Sequence, residues 1–172
     1  MEEKQLEYEY IRVEKSDIFF YCEVCRESVL ELCTAVKRLE HDRYATVTIH
    51  IHSEGGDLHA GLGAMDFLRN VSLKVFTVVE GLCASAATFV LLGGDTRTVL
   101  HNGYVLIHQI KHEFWGKYED LKDEMRMCEQ LMKRIKRIYL RETTIPQEKL
   151  DLLLQRDLYL SRRKCIKYGI SV

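Results

Sequence analysis

The chain has 172 residues and a mass of 20.2 kDa, the size of about one domain. Its 26 acidic and 25 basic residues give a net charge of −1, which excludes a protein built mainly to hold nucleic acid or an anionic membrane. One proline, ten glycines and 47% hydrophobic residues exclude collagen-like, proline-rich and disordered classes. We read residues 1–172 as a single domain, with a short N-terminal segment over 1–17.

The N-terminus, MEEKQLEYEYIRVEK, is acidic and without an apolar run, so no secretory signal is expected and the six cysteines are expected as reduced thiols in a cytoplasmic setting. Cys22 and Cys25 form a lone CxxC with no second pair at zinc-finger spacing; two thiols at a strand end is the plainer reading. The apolar region from Val75 to Gly94 is too interrupted, by Glu80 and several glycines, to span a membrane of roughly 20 clean residues.

In chain order, Ile18 to Cys22 reads as a short strand. Glu27 to Leu39 sets Val29, Cys33, Val36 and Leu39 on one helical face. Thr46 to His52 alternates, with Val47, Ile49 and Ile51 on one side and Thr48, His50 and His52 on the other: a half-buried strand. Ser53-Glu54-Gly55-Gly56-Asp57 is a turn, and Asp57 a plausible N-cap for a helix over Leu58–Arg69. Val75 to Val79 is a β-branched strand, and Gly81 is expected to turn the chain into a small helix from Ser85 to Leu92. Arg97–Leu100 and Tyr104–His108 read as a hairpin joined through Asn102-Gly103. A long helix is expected from Tyr118 to Glu142, burying Leu121, Met125, Cys128, Met132, Ile135 and Tyr139. Pro146 can open a helix over Gln147–Leu154, and Gly169 can close a last helix over Arg162–Tyr168. Repeated β-α-β order implies an α/β fold with parallel strands and right-handed crossovers.

Chemistry is suggested at Gly81-Leu82-Cys83-Ala84-Ser85-Ala86-Ala87. A strand, a tight turn, a serine and a run of small residues would put the hydroxyl where helix N–H groups favour developing negative charge. This is the logic of a nucleophile elbow without the GxSxG pattern, and the plainer alternative is a serine that only caps the helix. His108 ends a nearby strand and could serve as base; alone it is an ordinary strand-end histidine. Gly55-Gly56 could turn N–H groups toward a substrate carbonyl, or be a plain turn. His50 and His52 share a strand face near His59, where a metal is conceivable and a polar face plainer. The basic runs Lys133-Arg134-Ile135-Lys136-Arg137 and Arg162-Arg163-Lys164 read as solvated faces.

Taken in order, IHSEGGDLHAG, EGLCASAATFVLLGG, VLIHQI and QRDLYLSRRKCIKYGI resemble the signatures of the proteolytic subunit of Clp protease, from about Ile18 to Ile170. The resemblance implies the α/β Clp-protease and crotonase-like fold of repeated β-α-β units, with a long handle helix within about residues 111–142. It implies a serine endopeptidase acting on unfolded polypeptides, with Ser85 as nucleophile, His108 as general base, Asp157 as the acid, and an oxyanion hole from the Gly56 and Ala86 N–H groups. No metal or other cofactor is implied. The implied partners are polypeptide substrates, further copies of the chain in two stacked heptameric rings, and an ATP-driven AAA+ unfoldase, with neither nucleic acid nor membrane. The alternatives are a non-catalytic ring subunit and, more distantly, a crotonase-fold acyl-CoA enzyme.

Departures from the family pattern are visible. Its Asn-Ser-Pro-Gly-Gly reads His52-Ser53-Glu54-Gly55-Gly56, and its Gln-Pro after the histidine reads Gln109-Ile110, followed by Lys111, His112, Phe114 and Trp115. The segment before the first strand is short, and the chain ends at Val172 without the usual tail. Both regions help dock the unfoldase in the family.

Overall fold

The computed structural model describes residues 8–111 and 113–172, so residues 1–7 of the N-terminal segment and His112 lie outside the described residues. The elements run β1 (Arg12–Glu14), β2 (Asp17–Phe20), α1 (Arg26–His41), β3 (Thr46–Ser53), α2 (Leu58–Leu68), β4 (Lys74–Ala84) and α3 (Ala87–Leu92). They continue β5 (Thr96–Val99), β6 (Tyr104–Ile107), α4 (Tyr118–Glu142), α5 (Gln147–Gln155), β7 (Leu158–Ser161) and α6 (Arg162–Lys167). The strands form one sheet in the order β1-β2-β3-β4-β6-β7, with β5 also paired to β4. Helices α1 and α2 cross over between the parallel pairs β2–β3 and β3–β4. Two short antiparallel strands, β1 and β7, flank the parallel part and carry no clear signal in the sequence pattern.

Alternation sets the buried face. Val47, Ile49 and Ile51 of β3 and Val75 and Val79 of β4 share one buried cluster with residues of α1 and the short α3, and Thr77 of β4 is buried beside them. On α1 the buried set is Val29, Leu32, Ala35, Val36 and Leu39, with Cys33 half-buried. Each fully buried aliphatic side chain contributes about 1.5–3 kcal/mol relative to exposure. Thr77, the polar member, donates to the Leu91 carbonyl at 2.9 Å.

Three sequence expectations are corrected. β5 and β6 are not a hairpin: both run parallel to β4, β5 beside Phe76–Val79 and β6 beside Leu82–Ala84. β4 is eleven residues long, so one edge accommodates both strands in succession, and Asn102-Gly103 makes a local turn without reversing the chain. Gly81 does not break β4; a Cβ there would collide with the His52 ring, whose Nδ1 accepts from the Leu82 N–H at 3.3 Å. Finally, only the C-terminal half of α4 is buried, at Ile135, Ile138 and Tyr139, while Leu121 and Met125 are exposed.

The other face of the sheet carries a polar network. His50 Nδ1 lies 2.7 Å from Glu80 and its Nε2 3.0 Å from Asp17, the Tyr21 hydroxyl donates to Glu80, and Phe19 stacks on the imidazole with centroids 4.6 Å apart. Two carboxylates facing two ring nitrogens favour the protonated ring, in which both nitrogens donate. Burial works against that charge, but Asp17 and Glu80 outweigh it and raise His50 above its ordinary 6.5. Glu80 is likewise opposed by burial, yet is held below the usual carboxylate range by Tyr21 and His50. This histidine is thus a pin between β2, β3 and β4 rather than a ligand; among the described residues no group of three or more His, Cys, Asp or Glu could hold a metal. A raised folded value stabilises fully below pH 6.5, and the gain is lost as pH rises through that value. The wild-type melting temperature is therefore expected to fall more from neutral to mildly alkaline pH than that of His50→Gln, and parallel profiles would remove the pin.

All six cysteines are free. Burial pushes Cys22 up to about 11. Among the described residues no helix is long and apolar enough to cross a membrane.

Candidate functional site

β4 delivers Ser85 to the end of the sheet. Its φ of 54° lies in the left-handed region, rare for a residue with a Cβ. Backbone bonds hold it there: its N–H donates to the Leu106 carbonyl of β6 at 2.9 Å, and its carbonyl accepts from the Thr88 N–H at 3.0 Å and the Thr88 hydroxyl at 2.6 Å. Thr88 Oγ1 in turn lies 2.5 Å from the Tyr139 hydroxyl of α4, a buried pair that ties the serine turn to the long helix. The alternative of a capping serine does not describe this site. Ala86 holds the N-cap position of α3 without a side-chain bond, and the Ser85 hydroxyl makes no hydrogen bond among the described residues.

The glycine turn after β3 lies against that serine. Gly55 has φ 98°, and a Cβ on it would lie 2.6 Å from both the Ala84 carbonyl oxygen and Ser85 Cβ. Gly56, at φ 142°, is bracketed by bonds of 2.7 Å from the Val24 N–H to the Gly55 carbonyl and from the Asp57 N–H to the Val24 carbonyl. Asp57 caps α2 as expected, accepting from the Ala60 N–H at 2.7 Å. Neither the Gly56 nor the Ala86 N–H donates to another group among the described residues.

Strand register brings His108 and Asp157 to the same end. β6 pairs with β4 up to Ala84↔Leu106, and β7 pairs antiparallel with β6 up to Ile107↔Leu158. His108 directly follows β6 and Asp157 directly precedes β7, where that ladder ends. The side chains nonetheless have not joined. Among the described residues His108 Nδ1 is buried with no hydrogen-bond partner, and the Asp157 carboxylate lies 3.6 Å from Lys111 Nζ. Thus the backbone gathers Ser85, His108, Gly56 and Ala86 around one groove, while Asp157 turns toward a lysine at its rim.

That groove has a volume of about 510 Å³. Gly56, Ser85, Ala86 and His108 line it together with apolar Phe89, Leu131 and Ile135, and Glu54, His59 and Lys111 add charge or polarity. A larger open depression of about 1190 Å³, between the segment from Tyr8 to Lys15 and α1, holds none of these residues. Thr88 and Lys111 have no sequence signal as site residues; the i, i+3 spacing of Thr88 from Ser85 is the one clue that could mark the former.

Against known proteins, the family model described as Clp protease matches residues 2–171. The chain is 32% identical over 126 residues to a protein of Deinococcus radiodurans named ATP-dependent Clp protease proteolytic subunit, covering 72% of this chain and 62% of that one. It is 35% identical over 124 residues to a protein of the same name from Oenothera elata, covering 70% and 50%. These alignments span between half and just under two thirds of the relatives' lengths. A solved structure of a ClpP1 mutant from Listeria monocytogenes superposes with a TM-score of 0.82 at 25% identity, covering 91% of this chain and 89% of that one. With a family model that matches nearly from end to end and a sheet that superposes on that structure, the chain belongs to the Clp protease family.

Proposed function

We propose that the chain is a self-compartmentalising serine endopeptidase subunit that hydrolyses peptide bonds of unfolded polypeptides in the cytoplasm. Ser85 attacks the carbonyl carbon of the scissile bond while His108 takes its hydroxyl proton. Gly56 and Ala86 N–H groups donate to the oxyanion, and Asp157 orients the imidazole and stabilises it once charged. Collapse of the tetrahedral species breaks the C–N bond, and His108 returns the proton to the leaving amine. Water, deprotonated by the same histidine, then frees the acid from Ser85. The reading uses no cofactor. The observation that carries it is a serine in a strained backbone conformation beside two N–H donors without acceptors, in one groove with His108.

The test is hydrolysis of a set of fluorogenic peptides by the wild type and Ser85→Ala, with oligomer mass recorded on the same samples. One observation favours a second reading, a non-catalytic ring subunit: Asp157 pairs with Lys111 and leaves His108 Nδ1 without a partner. A fully assembled ring without activity would select it.

Assembly into stacked heptameric rings belongs to the same proposal, as does docking of an AAA+ unfoldase. It is supported by α4, whose N-terminal half presents Tyr118, Leu121 and Met125 to solvent after an entirely exposed Trp115. Exposed apolar side chains grouped this way favour a protein partner, here the same helix of another copy. The double variant Leu121→Asp/Met125→Asp is expected to lose ring-sized mass in analytical ultracentrifugation while keeping its circular dichroism. Unchanged mass would show that this face is not the contact.

A further inference from the structure

We propose that Lys111 is a positioning residue that governs when Asp157 serves His108, holding the carboxylate off the imidazole between turnovers. This rests on the serine-peptidase reading above and concerns how its acid is supplied.

Three observations converge. The ladder between β6 and β7 ends at Ile107↔Leu158, so His108 directly follows its last pair on one strand and Asp157 directly precedes it on the other. Beyond that pair the chain leaves the ladder: the Gln109 N–H donates to the Leu154 carbonyl at 2.8 Å, and the Leu158 N–H donates to the Arg156 carbonyl at 2.8 Å in a tight turn about Asp157. Yet the carboxylate lies 3.6 Å from Lys111 Nζ, and His108 Nδ1, the ring nitrogen turned away from proton transfer in such a triad, is buried without a partner.

A buried ring nitrogen without a partner is costly, and the Asp157 carboxylate is the acceptor that the peptidase reading assigns to it. What stands against that pairing is the lysine cation. Lys111 stands three residues beyond His108 on the same segment and lines the groove, so it can reach Asp157 without disturbing the sheet. Its charge acts twice against catalysis: it competes for the carboxylate, and it disfavours a second positive charge on His108 in the transition state. The ion pair is exposed, with side-chain accessibilities of 74% and 57%. Exposed pairs are weak and screened by salt, so the restraint is modest and easily released.

The experiment compares wild type, Lys111→Gln and Lys111→Arg in steady-state peptide hydrolysis over a range of salt concentrations. At low salt, Lys111→Gln is expected to raise kcat about 1.5- to fivefold, the span of an exposed ion pair, with KM little changed. Lys111→Arg, which keeps the cation, should return kcat toward the wild-type value, and the ratio of glutamine variant to wild type should close as salt rises. A second readout needs no turnover: a downfield imidazole N–H proton resonance, the signature of a ring nitrogen bonded to a carboxylate, should strengthen in Lys111→Gln and vanish when Asp157→Asn is added. An unchanged or lower kcat in Lys111→Gln with no change in that resonance would overturn the role of Lys111. Hydrolysis that survives Ser85→Ala, or absent activity in an assembled ring whose resonance responds as expected, would instead overturn the peptidase reading and leave the lysine–aspartate contact standing.

Discussion

Ser85→Ala is expected to lower peptide hydrolysis by about a million-fold, the loss that removal of a nucleophile produces in such a triad. Its folded structure should be unaffected. The hydroxyl bonds to nothing among the described residues, and alanine keeps the Cβ and hence the same backbone cost at φ 54°. The melting temperature and oligomer mass should therefore match the wild type, because substitutions that remove no contact usually stay within about 0.5 kcal/mol. Ser85→Gly separates strain from chemistry. It is equally inactive on this view, but it removes a left-handed penalty of about 1–2 kcal/mol, less what glycine adds to the entropy of the unfolded chain. A glycine variant that is inactive yet melts at or above the wild-type temperature would show that the fold holds this serine in place against its own preference. Residual hydrolysis in Ser85→Ala, at wild-type KM in repurified protein, would mean that Ser85 is not the nucleophile.

Sequence patterning reaches most of this arrangement where local physics determines the outcome. The alternation of Val47, Ile49 and Ile51 marks β3, Asp57 marks the start of α2, and α4 spans the expected Tyr118–Glu142. It fails where tertiary context overrides local signals. Asn102-Gly103 is a strong hairpin signal, but β5 and β6 both pair in parallel with the long edge of β4. Gly81 reads as a turn and instead makes room for the His52 ring. Periodicity on α4 marks an apolar face correctly, yet nothing in it tells a buried face from an exposed one, so it places Leu121 and Met125 in the interior, where they are not. Ser85, His108 and Gly56 can be singled out because each follows the end of a strand or lies in a small-residue turn, whereas the role of Ala86 comes through resemblance. Asp157 has no such signal and comes only through resemblance, since β7 is too short to be read ahead of its pairing with β6. The engagement of Asp157 by Lys111, 46 residues earlier in the chain, depends on side-chain placement that no spacing encodes.

Gly55→Ala is expected to impair both stability and activity, whereas Gly63→Ala should be neutral or favourable. At Gly55 the new methyl would sit 2.6 Å from the Ala84 carbonyl oxygen and from Ser85 Cβ, and 3.0 Å from the Ala86 nitrogen, with the backbone at φ 98°. None of these neighbours is a flexible side-chain tip that can swing aside; two are main chain and the third is the Cβ of the proposed nucleophile. Relief requires the turn carrying Gly56 to move away from Ser85. Overpacking and backbone strain together should cost roughly 2–4 kcal/mol, or about 5–15 °C in melting temperature for a chain of this size. The same displacement takes the Gly56 N–H off the oxyanion position. Even well below the melting transition, then, kcat should fall by about a hundred- to a thousandfold, the cost of one lost donor. Gly63 lies in the middle of α2, where an added methyl would have nothing within 4 Å. There alanine replaces the less helical residue and should add up to about 1 kcal/mol. Thermal melts and steady-state kinetics on the two variants check this contrast. A Gly55→Ala protein with wild-type stability and rate would mean that the turn does not press against Ser85, and the case for Gly56 as an oxyanion donor would lose its geometric basis.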